Sequence, residues 1–141
     1  MSVSVREEIA ELIHRYCDGV TRRDVDQWAA CWAPHGRWEI RADRIASDEA
    51  GRLAILNQAF EVLDGVVQMA MNGTVTVVGP DDATGCWYIV EHTRRVNGTA
   101  GVLLAHYDDR YVRIDGDWRF AARTLVRHYD GPPDLSGPFR C

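Results

Sequence analysis

From Val66 to Tyr129 the chain has the period-2 pattern of strands, broken only by short turn signals. Four segments rich in β-branched and aromatic residues follow one another: Val66 to Val78, Ala83 to Val96, Ala100 to Ile114 and Asp117 to Tyr129. Between them stand Gly-Pro-Asp-Asp at 79 to 82, Asn97-Gly98, and Asp115-Gly116-Asp117. Connections this short join only antiparallel neighbours, so the second half of the chain is predicted to be a meander. Strands of about a dozen residues are long and must twist strongly. A sheet of this kind curls, and its concave face needs a cover.

The first 65 residues supply that cover. Ile9, Leu12, Ile13, Tyr16 and Val20 recur at spacings of three and four, a single apolar stripe that turns Tyr16 inward, while Glu7, Glu8, Glu11, Arg15 and Asp18 face water. A second helix starts at Asp24, with Gln27 completing a capping-box pattern and Pro34 marking the stop. It carries Trp28 and Trp32 one turn apart. Gly36 to Ala42 alternates as a first strand, with Trp38 and Ile40 on one face. A third helix runs from a Ser47 cap to about Leu63, its stripe being Leu53, Leu56, Phe60 and Leu63, with Gly65 as the stop. The order α-α-β-α-β-β-β-β segregates helices from the meander and predicts the α+β class: a cone-shaped, curled antiparallel sheet wrapped by three N-terminal helices, with a pocket between the layers. One domain over residues 1–141 is expected, with residues 130–141, rich in Pro and Gly, as an irregular tail.

Composition narrows the function. Net charge is -5, which opposes nucleic acid as a partner because phosphate binding needs a basic field. All 16 basic residues are arginine, so side-chain Schiff-base chemistry is excluded. No apolar run reaches the roughly 20 residues of a membrane span, and the N-terminus has no secretory apolar stretch, so no membrane partner and a cytoplasmic location are expected. Cys17, Cys31, Cys86 and Cys141 lack Cys-x-x-Cys spacing, and the histidines lack metal-ligand spacing; reduced, inert thiols, no metal and no cofactor are the expectation.

The chemistry-bearing side chains then depend on which strand face turns inward. His106 alternates with Val102 and Leu104; the other face of that segment is Leu103, Ala105, Tyr107 and Tyr111. The reading adopted puts His106 inward, where an imidazole titrating near neutrality serves as acid or base. On the last strand Trp118, Phe120, Ala122, Thr124 and Val126 share a face, and strict alternation places Arg119, Arg123 and Arg127 on the other. Only a β-bulge would bring Arg123 in. Leu125 and Trp87 are expected on the outer face, where they would favour self-association.

The element order, the phrase RYCDGVTRRDVDQWAACWAPHGRWEI and the later HYDDRYVRIDGDWRFAAR together resemble the SnoaL-like branch of the nuclear transport factor 2-like superfamily. The resemblance implies a curled sheet with three helices around a deep apolar pocket, and often a dimer or trimer. It also implies activities such as dehydratase, dehydrochlorinase, ketosteroid isomerase or polyketide cyclase, alongside non-catalytic members. Its lyases pair an aspartate near the end of the first helix with a histidine on the strand after the third. Here those positions fall at Thr21 and Met69, while Tyr16 matches a tyrosine that several lyases carry. The resulting expectation is a cofactor-independent lyase or isomerase for a small apolar cyclic molecule. Tyr16 and His106 would be catalytic, and Val20, Thr21, Trp28, Trp32, Trp38, Met69 and Phe120 would hold substrate. The alternatives are a binding module, or an assembly subunit like the β subunits of ring-hydroxylating oxygenases.

Overall fold

The computed structural model describes residues 3–140. Its elements are α1 (Val5–Arg22), α2 (Val25–Ala30), β1 (Trp32–Arg41), β2 (Arg44–Ala46), α3 (Glu49–Val62), β3 (Leu63–Gly79), β4 (Asp82–Arg95), β5 (Ala100–Ile114) and β6 (Asp117–Gly131). Ser4 caps α1 through a full capping box with Glu7, and Asp24 caps α2 by accepting from the Gln27 amide. The α1 stripe is buried as the spacing requires, Ile9, Leu12 and Ile13 completely. Several boundaries differ from expectation. α2 ends at Ala30, so Trp32 opens β1 and not a further helical turn; Asp48, not Ser47, caps α3, and Leu63 is already extended.

The six strands are ordered β2-β1-β6-β5-β4-β3. The meander is antiparallel throughout, but β1 pairs in parallel with β6, because α3 carries the chain across the layer before the meander begins. The sheet is therefore mixed at one seam and α+β in class. The β5–β6 turn has Asp115 and Gly116 at φ of 51° and 85°, the double left-handed geometry of a tight hairpin whose twist matches its strands.

Helices cover one face only. α1 packs on β3 and β6, and its stripe meets Trp28, Trp32, Trp38, Tyr107, Tyr111 and Phe120 in one aromatic core. Tyr16 stands at the middle of it, 5.7 Å from the Trp28 ring and 5.4 Å from Phe120. Trp87, expected outside, is buried in this core because Trp87, Ile89 and Glu91 share the inward parity of β4. After β6, Phe139 bridges back to Tyr129, whose hydroxyl donates to the Pro132 carbonyl and holds the tail against the sheet.

Candidate active site

Between α3 and the concave sheet lies a cavity of about 190 Å³. α3 contributes Ile55, Leu56 and Phe60, and the strands contribute Val66, Ile89, Leu103 and Leu125, so most of the wall is aliphatic. Leu125, expected outside, faces in. Into this lining project Tyr16, Tyr107, Gln68 and Glu91, with Arg44 and Arg127 also on the wall. A few convergent polar groups in an apolar recess are what orient a small ligand.

The hydroxyls of Tyr16 and Tyr107 stand 3.5 Å apart, and Trp38 Nε1 donates to the Tyr107 oxygen at 3.2 Å. Burial pushes both phenols above their ordinary range, for Tyr16 with the added repulsion of Tyr107, so both stay protonated donors. Glu91 is half-buried by area but deeply set. Burial raises its carboxyl above the usual carboxylate range, against the single hydrogen bond from Gln68 Nε2 at 2.8 Å. The side-chain Oε1 of Gln68 has no hydrogen-bond partner among the described residues. Glu91 was legible in principle, because it shares the parity of Trp87 and Ile89.

Beneath the tyrosines lies Arg123, fully buried. Between the pairs Tyr111↔Phe120 and Arg110↔Ala122, β5 advances one residue and β6 advances two. The extra residue, Ala121, is the bulge that flips parity and brings Arg123 inward with Leu125 and Arg127. Its guanidinium binds Asp109 through two bonds of 2.7 and 3.1 Å and sits 3.8 Å from the Tyr107 ring centroid and 4.5 Å from that of Tyr16. Burial pushes the Asp109 carboxyl upward, opposed by Arg123 and by the Tyr111 hydroxyl, which donates at 2.8 Å. Burial likewise opposes charge on Arg123, but Asp109 outweighs it and keeps the guanidinium protonated. This pair holds up the floor of the site and does not line the cavity.

The expected site residues divide. Tyr16, Val20 and Trp38 line the cavity, whereas Trp28, Trp32 and Phe120 form the aromatic layer behind it. Thr21 sits beside β3, its hydroxyl accepting from the Gln68 amide at 2.9 Å, outside the cavity lining. Met69 is 40% exposed on the convex face; one residue earlier, Gln68 turns inward, so the strand position opposite Thr21 belongs to Gln68. A slip of one residue reverses every side chain on a strand. His106 also lies on the convex face, since Ala105 and Tyr107 take the inward parity of β5; it does not share the cavity with Tyr16. Its neighbours are His128 and Tyr88.

With this geometry in view, the sequence matches the SnoaL-like domain model over residues 1–124. The chain belongs to the SnoaL-like family. That places it in the nuclear transport factor 2-like superfamily. It is 23% identical over 129 residues to the gamma-hexachlorocyclohexane dehydrochlorinase of Sphingobium indicum, covering 90% of this chain and 83% of that protein. Among solved structures, a hexachlorocyclohexane dehydrochlorinase of type 2 superposes with a TM-score of 0.84 at 22% identity, covering 96% of this chain and 92% of the other. A scytalone dehydratase-like protein from Novosphingobium aromaticivorans follows at 0.83 and 16% identity, covering 93% of each chain. These likenesses carry the SnoaL-like fold. No helix of the described residues is long and apolar enough to cross a membrane.

Proposed function

We propose that this chain is a cofactor-independent lyase or isomerase that moves a proton on a small, largely apolar cyclic molecule held between α3 and the sheet. Glu91 acts as the base, and Tyr16 with Tyr107 donates hydrogen bonds to the charge that develops. The observation that carries this reading is Glu91 itself: a carboxyl in the same cavity as the Tyr16 and Tyr107 hydroxyls, hydrogen-bonded by the neutral Gln68 amide and raised by burial against the charge of Arg127, is the lining group suited to take a proton. His106 has no part in it, being on the other face.

In a lyase step Glu91 takes a proton from a ring carbon, the C–H pair becomes a carbon–carbon double bond, and the group on the adjacent carbon leaves with its bonding electrons. The tyrosine hydroxyls meet that leaving group, or the enolate oxygen if the reaction is an isomerisation. The cavity, at about 190 Å³, exceeds the roughly 150 Å³ that suffices for benzene, so a single six-membered ring is the scale of substrate. Relatives named as hexachlorocyclohexane dehydrochlorinases support a halogenated ring as the first probe. Turnover of gamma-hexachlorocyclohexane and of cyclic β-hydroxyketones, followed by chloride or water elimination, tests the reading. Product formation that Glu91→Gln leaves intact would refute the role of Glu91.

A ligand-binding role without chemistry has one observation in its favour: of Thr21 and Met69, the positions where the resemblance puts the lyases' aspartate and histidine, neither lines the cavity and neither exchanges a proton near neutral pH. Tight binding of the same probes with no turnover would select it. A homodimer or homotrimer is supported by the exposed Val67, Met69 and Met71 of β3, and light scattering reads it directly.

A further inference from the structure

The convex face carries a polar cluster that the pocket chemistry does not use. Strand pairing sets Cys86 opposite Asp108 and Tyr88 opposite His106, and His106 opposite Val126, which brings three strands' side chains to one spot. A bulge at His128, the extra residue between Arg127↔Ala105 and Tyr129↔Leu104, seats that imidazole beside His106. His106 Nδ1 and His128 Nε2 are 2.8 Å apart, and His106 Nε2 is 3.3 Å from Asp108 Oδ1. Ligand atoms of Cys86, His106 and Asp108 all lie within 4.8 Å of one another. The Tyr88 ring, 5.3 Å from His106 and 5.9 Å from His128, walls one side.

When His106 donates its Nδ1 proton to His128, a lone pair remains on Nε2, aimed at a carboxylate. In that tautomer a metal cation bridges the two acceptors, in the other a proton does, and metal titration tells the two apart. A bond from the far nitrogen of a histidine to a fixed acceptor is also how metal-ligating histidines are oriented. We infer that Cys86, His106 and Asp108 form a site for a thiophilic divalent cation of the zinc type, with His128 as the positioning residue behind His106 and the fourth position open to water. Thiolate, imidazole and carboxylate are the ligand types zinc takes, at about 2.0–2.3 Å, so the ligand atoms must close from their present spread. Asp108, 63% exposed in its side chain, is free to make that movement. On binding, the Cys86 S–H bond gives way to a sulfur–metal bond and its proton goes to solvent. Sequence spacing hid the site because its ligands come from two strands and face one another only through the ladder.

The test is titration of the full chain with Co²⁺ in the presence of a non-chelating phosphine reductant, followed by displacement with Zn²⁺ in a calorimeter. One equivalent per chain, with a thiolate-to-cobalt charge-transfer band and tetrahedral d–d bands, is expected. Cys86→Ser should abolish the thiolate band, and Cys141→Ser should keep it. Asp108→Asn and His106→Gln should weaken binding by at least about tenfold, and His128→Phe by about 10–100-fold. Far-UV circular dichroism and urea midpoints show that each variant folds, and Asp108→Asn, altered only at an exposed carboxyl, remains informative if Cys86→Ser does not. No thiolate band at millimolar Co²⁺ in the unmodified protein, a band that survives Cys86→Ser, or equal affinity in Asp108→Asn would overturn the assignment.

Discussion

The two faces of β5 carry polar clusters of opposite character a few ångströms apart. On the concave side Asp109, Arg123 and Tyr111 are sealed, the ion pair having no exposed side-chain area at either end, and three aromatic rings stack over the guanidinium. On the convex side Asp108, one residue earlier, is open to solvent and stands beside the half-buried His106 and Cys86. Neighbouring residues of one strand thus take part in a fixed structural pair and in an adaptable one. The difference lies in what lies over each face, three helices or water.

The sharpest way to break this comparison is Asp109→Asn. It strands a buried guanidinium and should cost about 3–5 kcal/mol in urea unfolding. A loss below about 1 kcal/mol would mean that the rings alone hold Arg123. Next, Tyr16→Phe keeps the aromatic contacts and removes one donor from the cavity, so turnover should fall about 10²-fold with the fold unchanged, measured as kcat beside a thermal melt.

Much of this arrangement could be read from residue spacing. The α1 stripe, the four meander strands and their turns follow from strong periods with strong punctuation. The one-residue facts were not legible. Arg123 reads as outward until the bulge at Ala121 is counted, and Met69 stands where Gln68 is needed because β3 begins at Leu63, directly out of α3, without a loop to fix its parity. His106 and Tyr107 alternate equally well on either face; what decides is that the Tyr107 hydroxyl finds Trp38 and Tyr16 inside. Burial pushes the Cys17 thiol up to about 12 and the Cys31 thiol up to about 11, whereas Cys86 is only half-buried.

Two smaller effects refine the contrast. Because burial raises the Glu91 carboxyl in the folded state, the unfolded chain releases that proton first as pH rises. Stability is therefore fully present below the ordinary carboxylate pKa and is lost as pH climbs through the raised one. Glu91→Gln should flatten that slope, checked by urea midpoints across the acid-to-neutral range; a slope unchanged by the substitution would place its origin elsewhere. Smallest of all, Asp108→Asn should alter metal-free stability by no more than about 1 kcal/mol, since an exposed partner of a histidine contributes little.

The central claim is that proton transfer belongs to the concave face and to Glu91. Its most direct measurement is kcat of Glu91→Gln on the first substrate found, beside the dissociation constant for the same molecule. Turnover should fall by about 10²–10⁴ while binding changes little, because the amide keeps the shape of the carboxyl and loses its ability to take a proton. A variant that turns over within about tenfold of the unmodified protein would contradict it.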